Sequence, residues 1–244
     1  MQRSPDFLGE ERRSAILLVS IVSFLVLVPF LENHELGSLV LILNMYITLV
    51  AATMELSQRR VLLWSAVPVA ASSMILLLIS HYYPTSRMLL ASSLMLALFF
   101  LLVSGSLFAY LGQRREITSG RLFVSVSLYF LLGLSWFALY DLLNTVQPGS
   151  FAEGNIALVG RVQPSKLLYF SYSTLTTLGY GDIVAVKPAS RMLATLEAAS
   201  GVLYIAITVA RLVGSYQVQD SDGNLQRNSW APHTAPDAEN EVRR

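Results

Sequence analysis

Cysteine is absent from this 244-residue sequence, which excludes disulfides, thiol chemistry and cysteine-based metal sites. Histidine occurs three times, at His34, His81 and His233, in separate loops and the tail with no metal-ligand spacing. No nucleophile–base arrangement can be drawn from the remaining residues, so the sequence does not suggest an enzyme. There is no Walker motif, glycine-rich dinucleotide loop or EF-hand, and no cofactor is expected. Charge is scarce as well. Asp, Glu, Lys and Arg make up 14% of the chain, against about 25% in an average soluble domain. The 17 basic and 16 acidic residues nearly cancel, which gives no hint of nucleic-acid binding.

Apolar residues fill the space that charge leaves. They form 54% of the sequence, with a mean hydropathy of +0.54, and they come in long runs. After a polar start (1–14), runs at 15–31, 36–54, 61–80 and 88–111 each suit a membrane span, and together define a four-helix region at 15–111. The first is read as a retained anchor, because no small-x-small cleavage site follows it. In the fourth, Ser92, Ser93, Ser104, Gly105 and Ser106 offer small residues for close helix contact. A polar, basic linker follows at 112–120. A second region, 121–216, holds an aromatic-rich fifth run (122–146), an irregular outer segment, and a last run at 188–215. The last run reaches roughly 40 Å, enough to project past a bilayer. Residues 217–244 are polar and are expected to form a disordered tail.

Between the fifth and last runs, residues 165–176 are too short to cross: at about 1.5 Å per residue they reach roughly 18 Å. Such a segment fits a re-entrant helix, tolerated at membrane depth only where protein buries it or it lines a water-filled cavity. Pro164 and Ser165 mark its start. Its carbonyl end carries partial negative charge, which favours a cation. The helix runs into Thr176, Thr177, Leu178, Gly179, Tyr180, Gly181 and Asp182. A dehydrated cation needs replacement oxygens, and an extended backbone supplies them when successive carbonyls face one axis. That geometry needs some torsions with φ > 0, which glycine visits without steric cost, and Gly179 and Gly181 stand where they are required. The Thr177 hydroxyl adds a further oxygen, while Leu178 and Tyr180 are expected to point away from the axis. One loop cannot enclose an ion. Four identical loops around a symmetry axis can, so the single copy implies a homotetramer.

This stretch resembles the selectivity filter of potassium channels, and residues from about 122 to 216 are similar to the two-span pore module of that superfamily. The resemblance implies K+ sites at Thr177, Leu178, Gly179, Tyr180 and Gly181, supported by Thr176. The usual residue at the second position is valine; here it is Leu178, whose extra methylene lies behind the filter. Asp182 matches the acid at the outer mouth. A pore-helix tryptophan often tethers that acid, and Tyr169 occupies the matching position. Some bacterial pores place a glutamate behind the filter, where this chain has Ser173, so a carboxyl–carboxylate pair is not available. Gly201 lies where the inner-helix hinge glycine of the family would be. An interior glycine eases bending, and it equally permits close packing against the pore helix. Glu197, one helical turn earlier, is an intramembrane acid; it either acts in function or hydrogen-bonds the pore-helix hydroxyls and holds the helix in place. Arg211 is a candidate snorkelling anchor.

Basic residues orient the chain with both termini in the cytoplasm: Arg3, Arg12, Arg13, Arg59, Arg60, Arg114, Arg115 and Arg121 fall in segments that are then inside. The lean loops suggest a prokaryotic plasma membrane. The fourth run, 88–111, contains no Arg or Lys, so the charge ladder that steep voltage gating requires is missing. The expectation is an all-α membrane protein with six transmembrane helices and a re-entrant pore helix, assembled with membrane lipid into a tetrameric K+ channel. A weakly selective cation channel, and a non-conducting sensor with a vestigial filter, are the alternatives.

Overall fold

The computed structural model describes residues 5–55, 60–112, 119–160 and 162–229. These form seven α-helices and one three-stranded sheet. The helices are α1 (Pro5–Leu31), α2 (Glu35–Glu55), α3 (Arg60–Tyr82), α4 (Ser86–Leu111), α5 (Ser119–Val146), α6 (Pro164–Leu175) and α7 (Pro188–Ser229); the strands are β1 (Phe151–Glu153), β2 (Ile156–Ala157) and β3 (Ile183–Ala185). Every helix except the 12-residue α6 carries a stretch long and apolar enough to cross a membrane. The chain is therefore an all-α, multi-pass membrane protein.

Several helices outrun the apolar runs that announce them. α1 begins at Pro5 rather than at residue 15, and α4 begins at Ser86, which brings Arg87 into its first turn. The Thr85 hydroxyl accepts from the Met88 N–H at 3.4 Å and caps that start. The largest difference is at the far end. α7 continues to Ser229, through the first part of the stretch expected to be disordered from residue 217; residues 230–244 lie outside the described residues. Apolarity marks the depth of a bilayer, whereas backbone hydrogen bonding continues along the axis without it. Arg3, Arg59, Arg114, Arg115 and Arg161 also lie outside the described residues.

The chain groups into two units, Met1–Ala206 and Ile207–Arg244. In the second, the described residues are the remainder of α7. In the first, α5 is the hub, packing on α4, α1 and α6, while α1 packs on α2, α2 on α3 and α3 on α4. Leu128, Leu131 and Leu134 of α5 are fully buried there. Lipid tails are as apolar as leucine, so small side chains and interhelical hydrogen bonds carry much of the association. Ser104 of α4 lies 3.1 Å from Ser135 of α5, and Ser93 donates to Asp141. Asn44 of α2 donates to Ser23 of α1 at 2.9 Å, and the Tyr46 hydroxyl to the Met74 carbonyl of α3 at 2.6 Å. Ser92, Ser93, Ser104 and Ser106 are buried as their size suggests. Gly105 is exposed, and a Cβ there would meet nothing.

The outer segment read as irregular is partly ordered. β1 pairs antiparallel with both β2 and β3, in the order β2-β1-β3, with Glu153 opposite Ile183 and Phe151 opposite Ala185. This small sheet joins the turn after α5 to the chain just past Asp182.

Candidate functional site

The short helix α6 is held at both ends and along one side. At its start, Glu32 in the turn between α1 and α2 accepts from the Ser165 backbone N–H at 3.0 Å and from the Ser165 hydroxyl. A carboxylate at a helix N-terminus satisfies an orphan donor and complements the positive end of the helix dipole. Beside it, Gln163 donates to Asn33 at 3.0 Å. Neither partner carries a local sequence signal, because Glu32 lies 133 residues from Ser165. Along its side, the Tyr172 hydroxyl donates to the Phe130 carbonyl of α5 at 2.7 Å. The approach is close at Gly133, where a Cβ would stand 2.6 Å from the Tyr172 ring. At its end, the Thr176 hydroxyl donates back to the Tyr172 carbonyl at 2.6 Å, closing the last turn.

The loop that follows has an alternating backbone. Thr177, Gly179 and Gly181 have φ of +59°, +54° and +79°. Among the described residues with positive φ, neither Leu178 nor Tyr180 appears. Positive φ is ordinary for the two glycines and unusual for Thr177, since a β-branched side chain there is a steric outlier. Such strain persists only where the surroundings impose it, and it concentrates at functional sites. Here the surroundings are the pore-helix end: the Thr177 N–H donates to the Thr174 carbonyl at 2.9 Å, and the Gly179 N–H to the Ser173 carbonyl at 3.2 Å. Ser173 thus contributes its backbone carbonyl to the loop. No Cβ clash surrounds Gly179 or Gly181, so torsion and not space explains both glycines.

Asp182 ends the loop. The Tyr169 hydroxyl donates to its carboxylate at 2.9 Å, the contact anticipated from their positions. The Asp182 carbonyl accepts from the Gly154 N–H at 3.0 Å, and β3 follows directly. The chain leaving the loop is therefore anchored to the chain leaving α5. Lys166 and Glu153 pair at 2.7 Å on the outer surface, where such a bridge contributes little.

Behind the loop, α7 is joined to α5 by the Trp136 indole donating to Ser200 at 3.1 Å and the Tyr204 hydroxyl donating to the Ser125 carbonyl at 2.6 Å. Gly201 of α7 packs against the end of α6: a Cβ there would stand 2.1 Å from the Leu175 carbonyl oxygen. That contact accounts for the glycine by close approach, independently of bending. Glu197 is fully buried and meets hydroxyls on two helices, Ser171 of α6 at 2.6 Å and Tyr140 of α5.

The side chains of Leu178 and Tyr180 are 56% and 72% exposed. On α7, Leu196, Val202 and Leu203 are also exposed.

Residues 149–217 match a family described as ion channel. An inward rectifier potassium channel, Kirbac3.1 of Paramagnetospirillum magnetotacticum, is 28% identical over 86 residues, spanning 35% of this chain and 25% of that relative. The chain thus matches about a quarter of the length of the curated relative. No solved structure matches it.

Proposed function

We propose that this chain, whose residues 149–217 match a family described as ion channel, forms a potassium-selective channel that conducts K+ passively. The observation that carries the reading is the alternation at Thr177, Gly179 and Gly181. A backbone whose torsions alternate in hand turns successive carbonyls toward one side, which is the donor set a dehydrated K+ requires. Thr177, Leu178, Gly179, Tyr180 and Gly181 supply those oxygens, with the pore-helix carbonyl end behind them favouring a cation.

The functional unit is a homotetramer, because four ribbons are needed to surround the ion. Support comes from Leu178 and Tyr180 of the ribbon, which are exposed in the single chain where neighbouring copies would cover them. The assembly sits in the plasma membrane with both termini in the cytoplasm and the filter opening outward. It needs no cofactor beyond the permeant ion. Gating is not steeply voltage-dependent, since α4 carries a single basic residue, Arg87, at its end.

Flux from purified protein in liposomes tests this. A K+ gradient should drive ion uptake in the wild type, and Gly179→Ala should abolish it, because alanine at φ +54° strains the ribbon. Equal flux from both proteins would refute the assignment of the ribbon.

A further inference from the structure

Three helices meet at one carboxyl group. Glu197 on α7 is fully buried within a membrane-crossing stretch. Ser171 of the pore helix α6 lies 2.6 Å from Oε1, and the Tyr140 hydroxyl of α5 donates to Oε2. Ser171 Oγ also lies 2.8 Å from the Gly133 carbonyl of α5. Tyr140 is itself locked, with the Phe151 and Phe170 rings edge-on at centroid distances of 5.2 and 5.1 Å. Burying an acid at this depth is costly, and hydrophobic side chains of similar size could fill the same space. Filling a gap therefore does not account for the acid.

One turn further on, α7 touches α6 again, at Gly201 against the Leu175 carbonyl. The two contacts are in step: Ser171 with Glu197, then Leu175 with Gly201, each four residues later on its own helix. Leu175 is the last residue of the pore helix, and the strained ribbon starts two residues beyond it. Any shift of α6 against α7 reaches the ribbon at its root.

Resting on the channel reading, we propose that Glu197 is a positioning residue for ion selectivity, which through Ser171 and Tyr140 fixes the pore helix between the outer and inner helices. Sites of this kind lose performance when their supporting shell allows displacements of about 0.5 Å. Without these hydrogen bonds, the four ribbons are held less closely and Na+ passes with K+.

The test compares Glu197→Gln with Glu197→Leu, by bi-ionic reversal potential in planar bilayers of purified protein. Glutamine keeps the contacts: its amide oxygen accepts from Tyr140, its amide nitrogen donates to Ser171, and Ser171 donates to the Gly133 carbonyl. Leucine keeps much of the volume and loses all of them. The Na+/K+ permeability ratio should stay at the wild-type value in Glu197→Gln and rise about ten-fold in Glu197→Leu, the order expected when a buried hydrogen-bonded group is left unpaired. Rescue by glutamine is the signature, since a role in volume alone would treat the two alike. If Glu197→Leu does not assemble, Ser171→Ala and Tyr140→Phe remove one hydroxyl each. Both should raise the ratio, with a combined effect that is not the product of the single effects. A wild type that selects K+ while the variants select equally well overturns the proposal and leaves the channel reading standing. A wild type that does not select K+ overturns both.

Discussion

The hydroxyl of Tyr169 lies 2.9 Å from a carboxylate oxygen of Asp182. The two residues bracket the ribbon: one stands on the pore helix that leads into it, the other where it ends. Their hydrogen bond closes a loop around Thr177, Leu178, Gly179, Tyr180 and Gly181, while the Gly154 N–H donates to the Asp182 carbonyl.

Tyr169→Phe removes this closure without changing the ring. Steady-state K+ current should fall several-fold through loss of conducting filters, with tetramer assembly unchanged. Tyr169→Trp restores a donor and should recover most of the current. Single-channel recording of open time separates the two, and wild-type behaviour in Tyr169→Phe would contradict the role assigned to the contact.

Gly201→Ala places a methyl where the Leu175 carbonyl already stands, 2.1 Å away. Overpacking of this kind costs about 1–3 kcal/mol. Thermal unfolding of the purified protein should shift downward by several degrees. Gly105→Ala is the control, because open space surrounds that position and alanine favours the helix by about 1 kcal/mol; it should be neutral or stabilising. If Gly201→Ala keeps full stability and changes only gating kinetics, the glycine serves bending instead of packing.

Glu32→Ala uncaps the pore helix from 133 residues away. Loss of an N-terminal cap costs about 0.5–2 kcal/mol, so stability should drop by that order. Ser165→Ala removes the hydroxyl contact and leaves the backbone N–H on Glu32, so it should cost less, and the double variant should lose less than the sum. Additive losses would show that the two act separately. Amide hydrogen exchange of residues 165–168 should rise in Glu32→Ala and localise the effect.

Open probability should depend weakly on voltage. Moving one charge through the full field contributes about 2.3 kcal/mol per 100 mV. Between Ser86 and Leu111 the helix has only Arg87, in its first turn, where it crosses little of the field. Recordings across a wide voltage range should give a shallow curve. A steep sigmoid would contradict this and place a charge sensor elsewhere.

The spans and the ribbon were legible because each has a local signature: apolar runs of membrane length, and glycines at alternate positions after a short helix. Gly179 and Gly181 take the left-handed torsions their spacing calls for. Thr177 was not expected to join them, because nothing in a threonine announces positive φ; the pore-helix carbonyls impose it. The strands at Phe151–Glu153, Ile156–Ala157 and Ile183–Ala185 are too short to show any alternation. Glu32 carries no local signal of its role, since its partner is 133 residues away in sequence. Glu197 stood out by its charge inside an apolar run, and the structure supplies its partners, Ser171 and Tyr140. The continuation of α7 to Ser229 is not legible in the sequence, because polar composition marks the end of the apolar run and not the end of backbone hydrogen bonding.

The most direct measurement is the reversal potential of the purified wild-type protein in a planar bilayer, with K+ on one side and Na+ on the other. Four converging ribbons should drive it far from zero, with the sign set by K+ leaving its own side. A reversal potential near zero, or a bilayer that stays silent although the protein is inserted, would contradict the account.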